Sequence, residues 1–329
     1  LMVAAMLWLF RLIYTEVGLS IRINGGTYTL LSNCAPKWVA TIAGALTLLS
    51  YVATTVVSAN SAMLYLVELL PTAWKSSGLV DILTITVILL FTMIALTGVQ
   101  GSAMSSGLIF AVHCSVLAIF VGCCSQFILL GRWEMFAQNW RSPSPQNSVF
   151  ESIFFGFAIS LLGITGFETS ANYIEEQGPS VFQKNLNNIW LLVTFFNPVI
   201  AFLGMGLLPY PPAEEQQDHF LFDIAAIGGG GGQWLQFIVN LDAVLVLSGA
   251  VLTSFVGVQG LVLRMALDDL LPSMLARKNK RFGSYHWTVI SFAMVGISLY
   301  LVSNGNLSTL AGVYTISFVT LMMLFACGH

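Results

Sequence analysis

Nine long apolar runs constrain this chain more than any other feature of its sequence. A helix needs about 20 mostly apolar residues to cross the hydrocarbon core of a bilayer. The runs lie at 1–19, 38–70, 79–99, 104–130, 150–175, 186–209, 234–264, 286–303 and 308–328. We therefore predict an all-α, polytopic membrane protein, built as one transmembrane domain over residues 1–329 with about nine spans.

The composition excludes most other classes of protein. Only 8% of the 329 residues are charged and 57% are hydrophobic, whereas soluble domains carry about 25% charged residues. The net charge of −3 gives no basic surface for nucleic acid, so the lipid bilayer is the expected environment and no nucleic-acid partner is expected. The five cysteines show no metal-ligand spacing. No catalytic triad or pair of carboxylates stands out, so we expect neither an enzyme nor a cofactor.

The basic residues of the loops predict the orientation in the membrane. Loops on the cytoplasmic side of membrane proteins carry an excess of lysine and arginine. Eight basic residues fall on one side and three on the other, with Arg11 inside the first run. The richer side holds Arg22, Lys37, Lys184, Arg264, Arg277, Lys278, Lys280 and Arg281, and the poorer side holds Lys75, Arg132 and Arg141. The acidic segment 210–232 is then an external loop, and the five glycines that end it, 228–232, are interpreted as a flexible connector.

The fifth run contains the strongest sign of a functional site. Gly163, Thr165, Gly166, Phe167 and Glu168 follow one another near the middle of the predicted span. Glycines weaken a helix, and a broken helix exposes backbone groups that must face protein or a water-filled cavity. Close helix packing through small residues would explain the glycines equally well. An ionisable residue at this depth is costly and usually functional, so we predict a broken helix that lines a site.

Three further side chains are candidates for ion coupling. His113 lies in the middle of the fourth run, and its imidazole could carry a proton. Thr253 and Ser254 lie in the seventh run and could line an ion or substrate path. The alternatives are a histidine paired with a neighbouring group and hydroxyls bonded to the preceding turn of their own helix.

Four motifs resemble the amino-acid permeases of the amino acid–polyamine–organocation superfamily. The first is the turn Asn24, Gly25, Gly26 and Tyr28, and the second is Thr165–Glu168 with a later pair of glutamates. The third covers 251–260 with Arg264 and Asp268 after it, and the fourth begins the last run at 305–315. The motifs occur in the family's order along nearly the whole chain.

The resemblance implies a leucine-transporter-like bundle with two inverted five-helix repeats, of which this chain would hold spans two to ten. The family's first span would then be missing, and we expect a chain truncated at both ends. The function implied is secondary active transport of amino acids by alternating access, coupled to protons or sodium. In such a protein Gly163, Thr165 and Gly166 would bind the substrate's amino group, and Phe167 would act as an aromatic gate.

Other functions are compatible with the same scaffold. A receptor that binds amino acids without transporting them is one, and a transporter of polyamines or choline-like amines is another. An inactive truncated product is a third. We expect a multi-pass protein of the plasma membrane, with an intracellular membrane as the alternative, and the sequence gives no oligomeric state.

Overall fold

The computed structural model describes residues 1–71, 78–98, 103–130, 133–142, 148–161, 168–178, 180–209 and 220–328. Within these residues all regular structure is helical. The α-helices are α1 (Met2–Ser20), α2 (Gly26–Cys34), α3 (Lys37–Glu68), α4 (Leu79–Leu96), α5 (Ala103–Leu129), α6 (Trp133–Arg141), α7 (Val149–Ser160), α8 (Val181–Leu207), α9 (Phe220–Gly228), α10 (Gln233–Leu267), α11 (His286–Val302) and α12 (Leu307–Gly328). A 3₁₀ segment covers Thr169–Glu176.

Seven of the described helices are long and apolar enough to cross a membrane, namely α1, α3, α4, α5, α8, α10 and α12. They coincide with seven of the nine predicted runs. The run at 286–303 forms the apolar helix α11, which has 17 residues. The run at 150–175 is divided between α7, with 12 residues, and the 3₁₀ segment.

The fifth run is not one continuous α-helix in the described residues. Its α-helix ends at Ser160, and the chain beyond 167 forms 3₁₀ turns. Tyr173 has non-helical backbone angles of φ −134 and ψ 39, which divides these turns. Gly163, Thr165, Gly166 and Phe167 lie outside the described residues, so the predicted break at those positions stays a prediction.

Two predicted loops contain helices. The turn region 20–37 includes α2, and the connector 210–232 includes α9. The prediction of a loop was wrong for Phe220–Gly228, which is helical because Ile224 and Ala225 are apolar and are buried in a hydrophobic cluster. After α9 the chain turns through Gly230 and Gly231, whose positive φ values of 69° and 85° suit glycine.

The centre of the bundle is built around α3 and α10, the two longest described helices, which pack along each other. Helices α2, α4, α11 and α12 also pack on α3, and the 3₁₀ segment packs on α10. This arrangement places the 3₁₀ segment, which follows Glu168, against the interior of the bundle.

Candidate functional site

Glu168 is buried in the middle of the bundle, with only 3% of its surface exposed. Among the described residues, its Oε2 atom has no hydrogen-bond partner. The hydroxyls of three buried tyrosines interact electrostatically with its carboxylate: Tyr14 from α1, Tyr51 from α3 and Tyr314 from α12. We call these four residues the tyrosine cage. It brings one acidic group and three phenols from separate segments to one point.

Two further buried polar atoms, one in the cage and one beside it, lack a partner among the described residues. Asn172 donates from Nδ2 to the Tyr51 hydroxyl at 2.5 Å, but its Oδ1 atom has no partner in the described part of the chain. The same holds for the Tyr314 hydroxyl. Each unsatisfied buried polar group costs about 1–3 kcal/mol. Such groups are rare in folded proteins, so their concentration around Glu168 indicates a site for a polar or charged ligand.

A reciprocal pair of hydrogen bonds fixes the end of the 3₁₀ segment. The Asn24 backbone N–H donates to Glu175 Oε1 at 2.9 Å, and the Glu175 N–H donates to Asn24 Oδ1 at 3.0 Å. Arg22 adds a bond to the Gln177 carbonyl oxygen. The turn before α2 therefore holds the segment that carries Glu168. Sequence analysis had identified Asn24 and the downstream acidic pair as motifs but had not predicted that they meet.

Asp268 anchors the neighbouring helix α2 to the end of α10. The Tyr28 hydroxyl donates to Asp268 Oδ2 at 2.8 Å, and Arg264 Nε lies 3.3 Å from the same oxygen. Burial raises the pKa of Tyr28, and the bond to Asp268 raises it further, so the phenol stays protonated and remains the donor. This contact explains the presence of Tyr28, Arg264 and Asp268 among the motifs.

Two glycines of α10 allow the 3₁₀ segment to approach closely. A Cβ atom at Gly257 would lie 2.9 Å from the Tyr51 hydroxyl and 3.1 Å from Thr169. A Cβ atom at Gly260 would overlap the carbonyl oxygen of Asn172. The sequence signal for this close approach is that the two glycines are three positions apart. The sequence alone does not show which segment they contact.

His113 forms a close pair with Asp242 between two membrane-crossing helices. Its Nδ1 atom lies 2.7 Å from Asp242 Oδ2, with the side chains 30% and 7% exposed respectively. A cavity of about 200 Å³ adjoins His113 and is also lined by Asn197 of α8. Sequence analysis missed Asp242 as a site residue, because nothing in a sequence shows which face of α10 meets α5.

Thr253 and Ser254 donate to the same backbone oxygen of their own helix. The distances from their Oγ atoms to the Ala250 carbonyl are 2.9 Å and 3.0 Å. Ser254 is buried, whereas Thr253 is exposed. These are the bonds expected if the two hydroxyls only bond to the preceding turn of their own helix. Their role as ion ligands stays a prediction.

No group of three or more histidine, cysteine, aspartate or glutamate side chains is arranged to hold a metal ion in the described ranges.

The fold and the tyrosine cage define a multi-pass helical membrane protein with a polar site at its centre. The sequence model of the amino acid permease family matches residues 1–329, which is the whole chain. The chain therefore belongs to the amino acid permease family.

Two curated relatives come from Arabidopsis thaliana. One is cationic amino acid transporter 3, mitochondrial, with 24% identity over 208 residues, 61% of this chain and 32% of the relative. The other is cationic amino acid transporter 2, vacuolar, with 25% identity over 193 residues, 56% of this chain and 28% of the relative. The matched region spans about a third of the length of these relatives.

Proposed function

We propose that the protein transports cationic amino acids by secondary active transport, with Glu168 binding the positive charge of the substrate side chain. Membership of the amino acid permease family supports amino acid transport. The two relatives are named as cationic amino acid transporters. The observation that carries the proposal is the buried Glu168 carboxylate, whose Oε2 atom has no partner among the described residues.

The chemistry of the cage suits an ammonium or guanidinium group. A charged carboxylate inside the membrane is costly unless a cation offsets it. Three described tyrosines interact electrostatically with Glu168, and their side chains carry no positive charge. Their ring faces attract cations, and their hydroxyls can accept hydrogen bonds from them. A lysine or arginine side chain would supply the charge that balances Glu168.

The remaining parts of the mechanism follow from the predicted broken helix. Backbone groups around Gly163, Thr165 and Gly166 would hold the amino group of the substrate, with Phe167 as an aromatic gate. We further propose that this chain holds nine of the ten helices of two inverted five-helix repeats, and that rocking of one bundle against the other exposes the site to each side in turn. If the protein bound amino acids without any net flux across the membrane, the receptor alternative would be favoured instead.

A panel of labelled substrates in proteoliposomes tests the proposed function. Lysine and arginine should accumulate when an ion gradient is imposed, whereas leucine, choline and polyamines should accumulate several-fold less. Exclusive accumulation of choline or polyamines, or binding of lysine without uptake, would contradict the proposal and favour one of the alternative functions.

The contact between His113 and Asp242 favours protons over sodium as the coupling ion. Aspartate, glutamate and histidine side chains inside the membrane form proton relays in pumps and transporters, and here the Asp242 carboxylate lies 2.7 Å from the imidazole. Asp242→Asn removes that charge, so uptake driven by an inward proton gradient should fall about tenfold. The measurement is labelled lysine uptake with a proton gradient or a sodium gradient alone.

Ser254→Ala is the matched control for that experiment, because Ser254 lies on the same helix and tests the sodium alternative. It should leave proton-driven uptake within about twofold of the wild type. If Ser254→Ala abolishes uptake under a sodium gradient while Asp242→Asn has no effect, sodium is the coupling ion.

A further inference from the structure

A polar cavity of about 400 Å³ opens at the end of the bundle that the loop charges predict to be external. It is bounded by α3 at Asn60, by α4 at Asp81, by α11 at Tyr300 and by the turn 304–308 before α12. We call it the outer cavity. Among the described residues that line it, Asp81 alone carries a formal charge.

Two helices, α3 and α12, contribute residues both to the outer cavity and to the tyrosine cage. On α3, Asn60 follows Tyr51 by nine residues, a rise of about 14 Å at 1.5 Å per residue. On α12, Leu307 precedes Tyr314 by seven residues, a rise of about 10 Å. Because α3 and α12 pack on each other, the cavity and the cage lie at two levels of the same pair of helices.

A small apolar cluster separates the two levels. Val56 of α3 and Leu310 of α12 are fully buried and pack with the ring of Tyr300. Val56 lies between the cavity and the cage along α3, and Leu310 lies between them along α12. The Tyr300 hydroxyl donates to Asp81 Oδ1 at 2.6 Å, so one residue belongs both to the apolar cluster and to the polar cavity above it.

The predicted external side is acidic as a whole. Its loops and adjoining helix ends hold eight acidic residues and three basic residues. The acidic residues are Glu68, Asp81, Glu134, Glu151, Glu214, Glu215, Asp218 and Asp223, and the basic residues are Lys75, Arg132 and Arg141. A surface of one sign raises the local concentration of oppositely charged solutes, most of all inside a concave site.

We propose that the outer cavity is a first binding site for cationic amino acids, with Asp81 holding the ammonium or guanidinium group before the substrate passes the apolar cluster to Glu168. This proposal rests on the proposed function, because it requires a cationic substrate. Asn60 and the turn at 304–308 line the same space, and the bond from Asn60 Nδ2 to the Gly305 carbonyl oxygen at 2.9 Å holds that turn against α3. The alternative is that Asp81 only stabilises the first turn of α4 and accepts the bond from Tyr300.

Kinetics of lysine uptake by the Asp81→Asn protein in proteoliposomes test the proposal. The KM should rise about fivefold while kcat stays within about twofold, because one partly solvated charge contact is lost at a site outside the central one. Raising the ionic strength should raise the KM of the wild type more than that of Asp81→Asn. A purely structural role would instead lower thermal stability without these changes.

Two further variants make the result specific. Glu134→Gln removes an exposed acidic charge on the same predicted side but outside the outer cavity, and it should leave the KM within about twofold. Tyr300→Phe keeps the ring and releases Asp81 from its hydrogen bond, so its KM should not exceed that of the wild type.

If the wild type transports lysine normally and Asp81→Asn has an unchanged KM, the proposal of an outer site is overturned but the proposed function is not. Failure of the wild type to transport lysine or arginine would overturn the proposed function and this proposal together.

Discussion

Replacing Glu168 with glutamine should reduce the uptake of lysine and arginine by at least about 100-fold while the protein still inserts into the membrane. Glutamine has nearly the same shape and can keep neutral hydrogen bonds, but it has no charge to pair with a substrate cation. Removing one partner of a buried ion pair costs about 3–5 kcal/mol, and 2.7 kcal/mol corresponds to about 100-fold. The measurement is initial uptake of labelled lysine, normalised to the amount of folded protein in proteoliposomes.

Glu175→Gln is the matched control, because Glu175 lies seven residues further along the same segment and is exposed. A glutamine there can still accept the bond from the Asn24 N–H, so uptake should stay within about threefold of the wild type. Equal losses in the two variants would mean that any change of charge in this segment impairs folding. Unchanged uptake in Glu168→Gln would remove Glu168 from the mechanism.

Replacing Gly260 with alanine should destabilise the protein by about 1–3 kcal/mol and weaken lysine binding with it. The added methyl group overlaps the Asn172 carbonyl oxygen, so the 3₁₀ segment must move away from α10. Asn172 bonds to Tyr51 and Glu168 directly precedes the 3₁₀ segment, so this movement would disturb the tyrosine cage. The measurement is thermal unfolding of the purified protein in detergent, together with its lysine affinity.

Gly249→Ala is the control on the same helix. Apart from its own helix, no atom of the described residues lies within 4 Å of a Cβ atom placed there, and alanine favours a helix over glycine by about 1 kcal/mol. Its unfolding temperature should therefore equal or exceed that of the wild type. The account of α10 packing would be contradicted if the two glycine variants behaved alike.

The sequence predicted the apolar framework because membrane spans depend on length and composition, which a sequence displays directly. The helix α9 was missed for the corresponding reason. The helix has only nine residues, Phe220–Gly228, and the acidic residues and glycines around it dominate the composition of the segment. Only the contacts of Ile224 and Ala225 with a neighbouring cluster show why this stretch is helical.

The site was predicted in part. Glu168 and His113 could be singled out, because an ionisable group within an apolar run is conspicuous. Their partners could not, because Tyr14, Tyr51 and Tyr314 come from three helices far apart in the chain. Tyrosine is also common in apolar runs, so these three carry no local signal. Asp242 was visible as a charge, but its pairing with His113 depends on how α5 and α10 are rotated towards each other.

Equilibrium binding of labelled lysine and labelled leucine to the purified protein tests the role of Glu168 most directly, because it does not depend on coupling or on flux. The account predicts that the wild type binds lysine at least about tenfold more tightly than leucine, and that Glu168→Gln removes this preference. If the wild type bound leucine as tightly as lysine, or if Glu168→Gln retained the preference for lysine, the tyrosine cage would not be the site that recognises the positive charge of the substrate.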